Sequence, residues 1–203
     1  MKIEKLNKEN IKDFLGDLNI EDSYLESNVN RLEVFGIKEE NTFYMAFEMV
    51  LDDDRIAIKY INSKLSSDKF MECISYLNNS LVVNSHLIIN VYDRYYCDIL
   101  SEKYRCKDVY VSLDGDMVDN RNAKEEYAEI DMMNIRYYTS NGNILCNLVR
   151  QNIQDENVIK RLDEIFRNMG VNNVCFVIYD LLEPIFENLQ YKVVYKSFII
   201  DNL

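Results

Sequence analysis

Two apolar segments decide the fold: Leu87-Ile88-Ile89-Asn90-Val91-Tyr92-Asp93 and Val174-Cys175-Phe176-Val177-Ile178-Tyr179-Asp180. Each is a short apolar run that predicts a buried strand, and each ends in Tyr-Asp. The two segments are 87 residues apart, and Tyr104 and Tyr191 keep the same spacing. This spacing predicts an internal duplication. The alternative is a chance similarity, because any two strand–helix–strand units align loosely.

The residues from 1 to 113, on both sides of the first segment, predict a mixed α/β half. A short strand is expected over 2–6. Apolar residues then recur at helical spacing from Ile11 to Leu18, and strict alternation predicts a strand over 42–51. A turn is expected at 52–54 and a helix over 67–79. The series closes with a strand at Val109–Leu113.

The second half repeats this order after a polar connector at 114–126. One strand is expected over Tyr127–Tyr138, and Asn141-Gly142 predicts a tight hairpin turn. A helix is expected over 155–168, followed by Gly170 where a C′ glycine belongs. The expected apolar face of that helix consists of Val158, Leu162, Ile165, Phe166 and Met169.

The composition is acidic, with 23 Lys and Arg against 35 Asp and Glu and a net charge of −12. Such a chain lacks the clustered cations that nucleic acid or an anionic membrane requires, so neither is expected as a partner. The acidity provides solubility or, alternatively, attracts a cationic substrate. The N-terminus resembles no signal peptide and the apolar runs reach only about five residues, too short to span a bilayer, so a cytoplasmic protein is expected.

The cysteines and the single histidine limit the possible chemistry. Five Cys occur without a C-x-x-C motif, and most lie in apolar segments, which favours free core thiols in a reducing compartment. His86 is the only His, so no metal site is expected, and any Ser–His or Cys–His triad would have to use it.

The order of elements resembles the GNAT acetyltransferase fold. Each half has a hairpin followed by strand–loop–helix–strand–helix–strand. The helix–strand junctions at Leu100–Val109 and Glu187–Val194 are similar to the family's Y-E-K-L-G-F-K-x-V pattern. The resemblance implies a tandem of two GNAT-like mixed-sheet halves packed together, 1–118 and a truncated 119–203. It also implies a sheet that splays between its fourth and fifth strands to admit acetyl-CoA.

The resemblance further implies a pyrophosphate loop between the fourth strand and the following helix. In the family this loop reads Q/R-x-x-G-x-G/A, and its glycines let the backbone approach the phosphates. The corresponding loops here, 62–68 and 150–156, contain no Gly. The first offers the candidate cofactor-binding residues Ser63, Lys64, Ser66 and Ser67. In the second, Asp155 and Glu156 would repel phosphate at the helix start.

The same resemblance implies a Glu or a bound water as general base, and a Tyr on the last helix as acid toward the CoA thiolate. Glu48, in an otherwise apolar strand, is the candidate base, and Glu129 is its counterpart in the second half. Tyr95 and Tyr96 are the candidate acids, with Tyr96 on the apolar face and therefore suited to packing.

Three functions remain open from the sequence. The first is an N-acyltransferase that moves an acetyl group from acetyl-CoA to a small-molecule or peptide amine through a degenerate loop. The second is a noncatalytic GNAT-fold module that binds a protein partner or a small ligand, which the missing glycines favour. The third is an unrelated α/β protein that shares only the topology, because fold alone does not determine function.

Overall fold

A computed structural model describes residues 1–50, 55–81, 86–118 and 122–201, and these form a mixed α/β structure. Within them the strands are β1 (Lys2–Lys5), β2 (Val34–Glu39), β3 (Thr42–Val50), β4 (Arg55–Ile61), β5 (His86–Val91), β6 (Arg105–Ser112), β7 (Lys124–Ile130), β8 (Met133–Ser140), β9 (Asn143–Asn147), β10 (Asn173–Ile178) and β11 (Lys192–Asp201). The helices are α1 (Ile11–Leu18), α2 (Ser23–Asn28), α3 (Ser67–Leu81), α4 (Arg94–Ser101), α5 (Leu148–Gln151), α6 (Glu156–Asn168) and α7 (Glu183–Asn188). The expected fold class, α/β with mixed sheets, is confirmed.

The chain divides into two compact units that are bounded differently from the halves suggested by the repeat. The first unit comprises Met1–Arg105 together with Ser197–Leu203, and the second comprises Cys106–Lys196. Strand β6 therefore lies almost wholly in the second unit, although it follows α4 in the sequence. The end of β11 belongs to the first unit.

In the first unit the strand order is β1-β2-β3-β4-β5, followed by the end of β11. The strands from β1 to β4 pair antiparallel, and β4 pairs parallel with β5. Helix α1 forms because its apolar residues recur on one side, and that side packs on β3. The ring of Phe14 meets that of Phe43 edge-on, with centroids 5.5 Å apart. The expected helix and alternating strand are both confirmed.

In the second unit the order is β7-β8-β9-β10-β6, followed by the first residues of β11. Strand β10 pairs parallel with β9 and antiparallel with β6. The core is built around Phe176, whose ring lies 5.0 Å from that of Phe186 and 5.4 Å from that of Tyr191. Asn141 and Gly142, at φ 51° and 76°, connect β8 to β9 as their dipeptide predicts.

The β7–β8 hairpin was not expected from the sequence. The single strand expected over Tyr127–Tyr138 is two strands, β7 and β8, joined at Asp131 and Met132. Both joining residues have positive φ, 48° and 65°. The sequence prediction missed this turn because it contains neither Gly nor Asn. The connector expected at 114–126 is also shorter, since β7 begins at Lys124. The turn expected at 52–54 lies outside the described residues.

No helix in the described parts of the chain has the length and apolar character to cross a membrane.

Candidate functional site

Strands β4 and β5 pair over only part of the length of β4. Their parallel register runs from Arg55 opposite Ile88 to Ile58 opposite Val91. Strand β4 continues to Ile61, paired there with β3. In open α/β sheets, ligands bind outside the carboxyl ends of the strands, which is where this pairing stops.

The pairing ends where β5 itself ends, at Val91, and a β-bulge lies one residue further along β4. Phe47 lies opposite Ile58, but Ala46 lies opposite Tyr60, so Lys59 is an extra residue in β4. A bulge bends the strand that carries it and increases its twist. The last three residues of β4 therefore follow β3 at the point where the register with β5 has ended.

The loop after β4 brings the four predicted cofactor-binding residues together. The backbone N–H of Leu65 donates to Asn62 O at 2.9 Å, closing a tight turn that presents Ser63 and Lys64 to solvent. Ser66 precedes α3 as its N-cap, because its Oγ accepts from the backbone N–H of Lys69 at 3.3 Å. All four residues lie at the N-terminal end of a 15-residue helix, where partial positive charge accumulates.

Tyr96, on α4, is buried and hydrogen-bonds to the backbone of this loop. Its hydroxyl lies 3.2 Å from Asn62 O and 3.1 Å from Leu65 O, so its proton is engaged by a loop carbonyl. Burial raises the pKa of this phenol. Its ring packs 4.5 Å from the ring of Phe70. Tyr95, by contrast, is 58% exposed at the start of α4.

Glu48 lies on β3 opposite Ala57, one residue before the pairing of β4 with β5 ends. Its Oε2 accepts from Lys59 Nζ at 2.7 Å, so the bulge residue is also the ion-pair partner of the candidate base. Burial, and after it the charge of Glu48, raises the pKa of the Tyr92 phenol to about 12. The pKa of the Tyr60 phenol is also raised. Burial is the largest cause, and the hydrogen bond to Asp22 and the charges of Asp22 and Glu48 add to it. Glu48 therefore acts electrostatically on two tyrosines at the carboxyl ends of β4 and β5.

Sequence reasoning did not select Lys59, Tyr60 or Tyr92 as site residues. A signal for Tyr92 was present, because Tyr-Asp follows the buried strand in both halves at Tyr92-Asp93 and Tyr179-Asp180. Lys59 has no such signal, since a bulge depends on how two strands pair and not on the residues of one.

The corresponding region of the second unit has no equivalent opening. The register of β9 with β10 runs from Asn143 opposite Asn173 to Asn147 opposite Val177, the whole length of β9. Asp155 caps α6, accepting from the N–H groups of Asn157 at 2.8 Å and Val158 at 3.2 Å. The Asp155 carboxylate thus accepts hydrogen bonds from the backbone N–H groups at the start of α6, as expected for an Asp at this position.

A tyrosine also hydrogen-bonds to residues of the segment that leads to α6. The hydroxyl of Tyr179 lies 3.1 Å from Asn152 Oδ1 and 3.2 Å from Val149 O. Glu129, the predicted counterpart of Glu48, lies exposed on β7. The predicted loop residues, Glu48, Tyr95 and Tyr96 all lie in the first unit, and Tyr96 contacts the loop.

Comparisons with known proteins give structural similarities only. No family model matches the chain, and no curated protein matches it. The similar solved structures include a proposed acetyltransferase from Thermoplasma acidophilum, with a TM-score of 0.42 at 12% identity over 95% of this chain and 88% of that one. They also include a GCN5-related N-acetyltransferase from Sphaerobacter thermophilus, with a TM-score of 0.43 at 6% identity over 98% and 94%.

A third similar structure is a GNAT-family acetyltransferase from Colwellia psychrerythraea, with a TM-score of 0.37 at 9% identity over the full length of both chains. All three are described as acetyltransferases. At these TM-scores the similarity assigns no residue, and the candidate site rests on the geometry of the first unit.

Proposed function

We propose that the first unit binds acetyl-CoA or a related acyl-CoA where the pairing of β4 and β5 ends, and transfers the acyl group to an amine. The observation that carries this proposal is the register of β4 with β5, which stops at Ile58 opposite Val91 just before a loop that leads into a long helix. An open strand end followed by a helix N-terminus is suited to a ligand that carries phosphates.

The loop residues fit a pyrophosphate in part. Lys64 is exposed and would supply the positive charge, and the hydroxyls of Ser63 and Ser67 would donate to phosphate oxygens. Ser66 already accepts a backbone hydrogen bond at the N-cap, which leaves its own O–H available to donate. Asp68, in the first turn of α3, opposes an anion there, so weaker binding than that of a glycine-rich loop is expected.

The reacting groups follow from the placement of Glu48 and Tyr92. When bound, the acyl-CoA supplies a thioester carbonyl for attack by the amine nitrogen. Glu48 accepts the proton that the nitrogen loses, directly or through a water. As the carbon–sulfur bond breaks, a tyrosine O–H protonates the departing sulfur. Tyr92 and Tyr95 are the candidates for this role. Exposed Tyr95 suits it better than Tyr96, whose proton a loop carbonyl engages. A Tyr92 pKa of about 12 keeps that phenol protonated near neutral pH.

Titration calorimetry with acetyl-CoA tests the binding step. Lys64→Ala is expected to weaken binding about tenfold, because a charged hydrogen bond contributes about 1.5 kcal/mol. Lys160→Ala is the matched control, since Lys160 is an exposed lysine on α6 that pairs with Glu156 at 2.6 Å. Absence of binding at millimolar acetyl-CoA, or equal losses in both variants, would count against the proposed site.

A noncatalytic binding module is the second candidate. The specific observations that favour it are the Gly-free loop, the Glu48–Lys59 ion pair at 2.7 Å and the engaged hydroxyl of Tyr96. Release of free CoA thiol in the presence of a panel of amines separates the two candidates. Turnover that falls in Glu48→Gln and Tyr92→Phe supports the transferase, whereas binding of acetyl-CoA without thiol release supports the module.

A further inference from the structure

Each half of the sequence ends in a strand, β6 in the first half and β11 in the second. Nearly all of β6 lies in the second unit, and the end of β11 lies in the first. The spacing of 87 residues aligns β6 with β11, each following a helix and a tyrosine, Tyr104 or Tyr191. A simple tandem would place β6 in the first unit and β11 in the second. Instead β6 from Cys106 onward belongs to the second unit, and Ser197–Leu203 belongs to the first.

In the first unit, the end of β11 is the neighbour of β5. The hydroxyl of Ser197 donates to Asn90 Oδ1 at 2.9 Å, and both residues are buried. Phe198 and Ile200 are fully buried as well. A buried polar pair fixes the register of neighbouring strands, because a slipped alignment would leave both groups without a partner.

In the second unit, β6 is an interior strand that pairs antiparallel with β10, from Val109 opposite Ile178 to Ser112 opposite Cys175. Val109 and Val111 are buried in the same core cluster as Phe176. Removing β6 would therefore expose the edge of β10 and part of this core.

We propose that the two halves of the sequence, on either side of the connector that follows β6, are obligate noncovalent partners held together by this exchange of strands. Each half provides an apolar strand that completes the sheet of the other, so the covalent connection through the connector is dispensable once the chain has folded. The partner that each half fits is the other half of the same chain.

Cleavage of the folded full chain tests this proposal. A protease recognition sequence is inserted between Asn122 and Ala123, and the purified protein is cut in its native state. The two fragments are expected to elute from size exclusion as one species with the mass of both. The Tm of the cut protein is expected to rise with protein concentration, because its unfolding separates two chains, while that of the uncut insertion protein does not. Separation of the fragments at micromolar concentration would overturn the proposal.

A second variant keeps the test independent of the insertion. A chain that stops after Lys196 lacks only the residues of β11 that belong to the first unit. Hydrogen exchange of the β5 amides is expected to accelerate at least about tenfold more than that of the β10 amides, because β5 loses its neighbour. An equal or larger acceleration in β10 would place the end of β11 with its own half of the sequence and contradict the exchange.

Discussion

Asp163 is a buried carboxylate on α6, with 5% of its surface exposed. Its Oδ1 accepts from the hydroxyl of Tyr191 at 2.6 Å and from Arg167 Nε at 2.7 Å. The sequence pattern instead placed Ile165 and Met169 on the apolar face, but these residues are 37% and 44% exposed. A helical pattern counts Asp as polar and outward-facing, and it cannot register the two donors that make this burial favourable.

Removal of the hydroxyl in Tyr191→Phe should lower the free energy of unfolding by about 2 kcal/mol, since the lost hydrogen bond is buried and its acceptor is charged. Urea denaturation measures this change. Tyr127→Phe is the control, because Tyr127 is 59% exposed and bonds the exposed Glu125, and it should change the free energy by less than about 0.5 kcal/mol. Similar losses of unfolding free energy in the two variants would show that the Tyr191–Asp163 hydrogen bond does not stabilise the fold.

Helix α3 begins at Ser67, where the sequence predicts, and its apolar residues Phe70, Cys73, Ile74 and Leu77 are buried. Caps and helical periodicity are local features, so both could be inferred from the sequence. The β-bulge at Lys59, on the preceding strand, has no local signature, because it is defined by the partners Phe47 and Ala46. The helix end of the candidate site was therefore predictable, whereas the strand end was not.

Substitution of the α3 cap tests this element. Ser66→Ala should lower the free energy of unfolding by about 1 kcal/mol, because the N–H of Lys69 loses its acceptor. Ser63→Ala is the matched control, since Ser63 lies exposed in the turn before the helix and should have little effect. Thermal or urea unfolding of both variants provides the measurement, and an equal effect would argue against the assignment of Ser66 as the cap.

Across the whole molecule the thiols are protected by packing. Burial raises the pKa of Cys73 to about 11 and those of Cys106 and Cys146 to about 12. Cys175 is shifted in the same direction, again mainly by burial. Because the thiolate is the reactive form, these shifts make the four native thiols poor nucleophiles, and Cys97 is buried as well.

The native protein should therefore react with a disulfide reagent at pH 8 at least about a hundredfold more slowly than the unfolded chain, in which a thiol has a pKa of about 8.5. All five cysteines should react after addition of guanidinium. Absorbance of the released thiol follows both reactions. A rapid native phase, above all from the partly exposed Cys106, would contradict the burial described for these side chains.

The α/β class, most of the helices and strands and the Asn141-Gly142 turn could be inferred from the sequence. So could the loop that contains Ser63, Lys64, Ser66 and Ser67. These features depend on periodicity, caps and turn residues within a few positions of one another. Three features required the folded chain: the pairing of β4 with β5 ends at Ile58, Asp163 is buried, and the end of β11 completes the first unit. Each of these depends on which distant segments meet, and the 87-residue spacing in the sequence is compatible with either placement of β6 and β11.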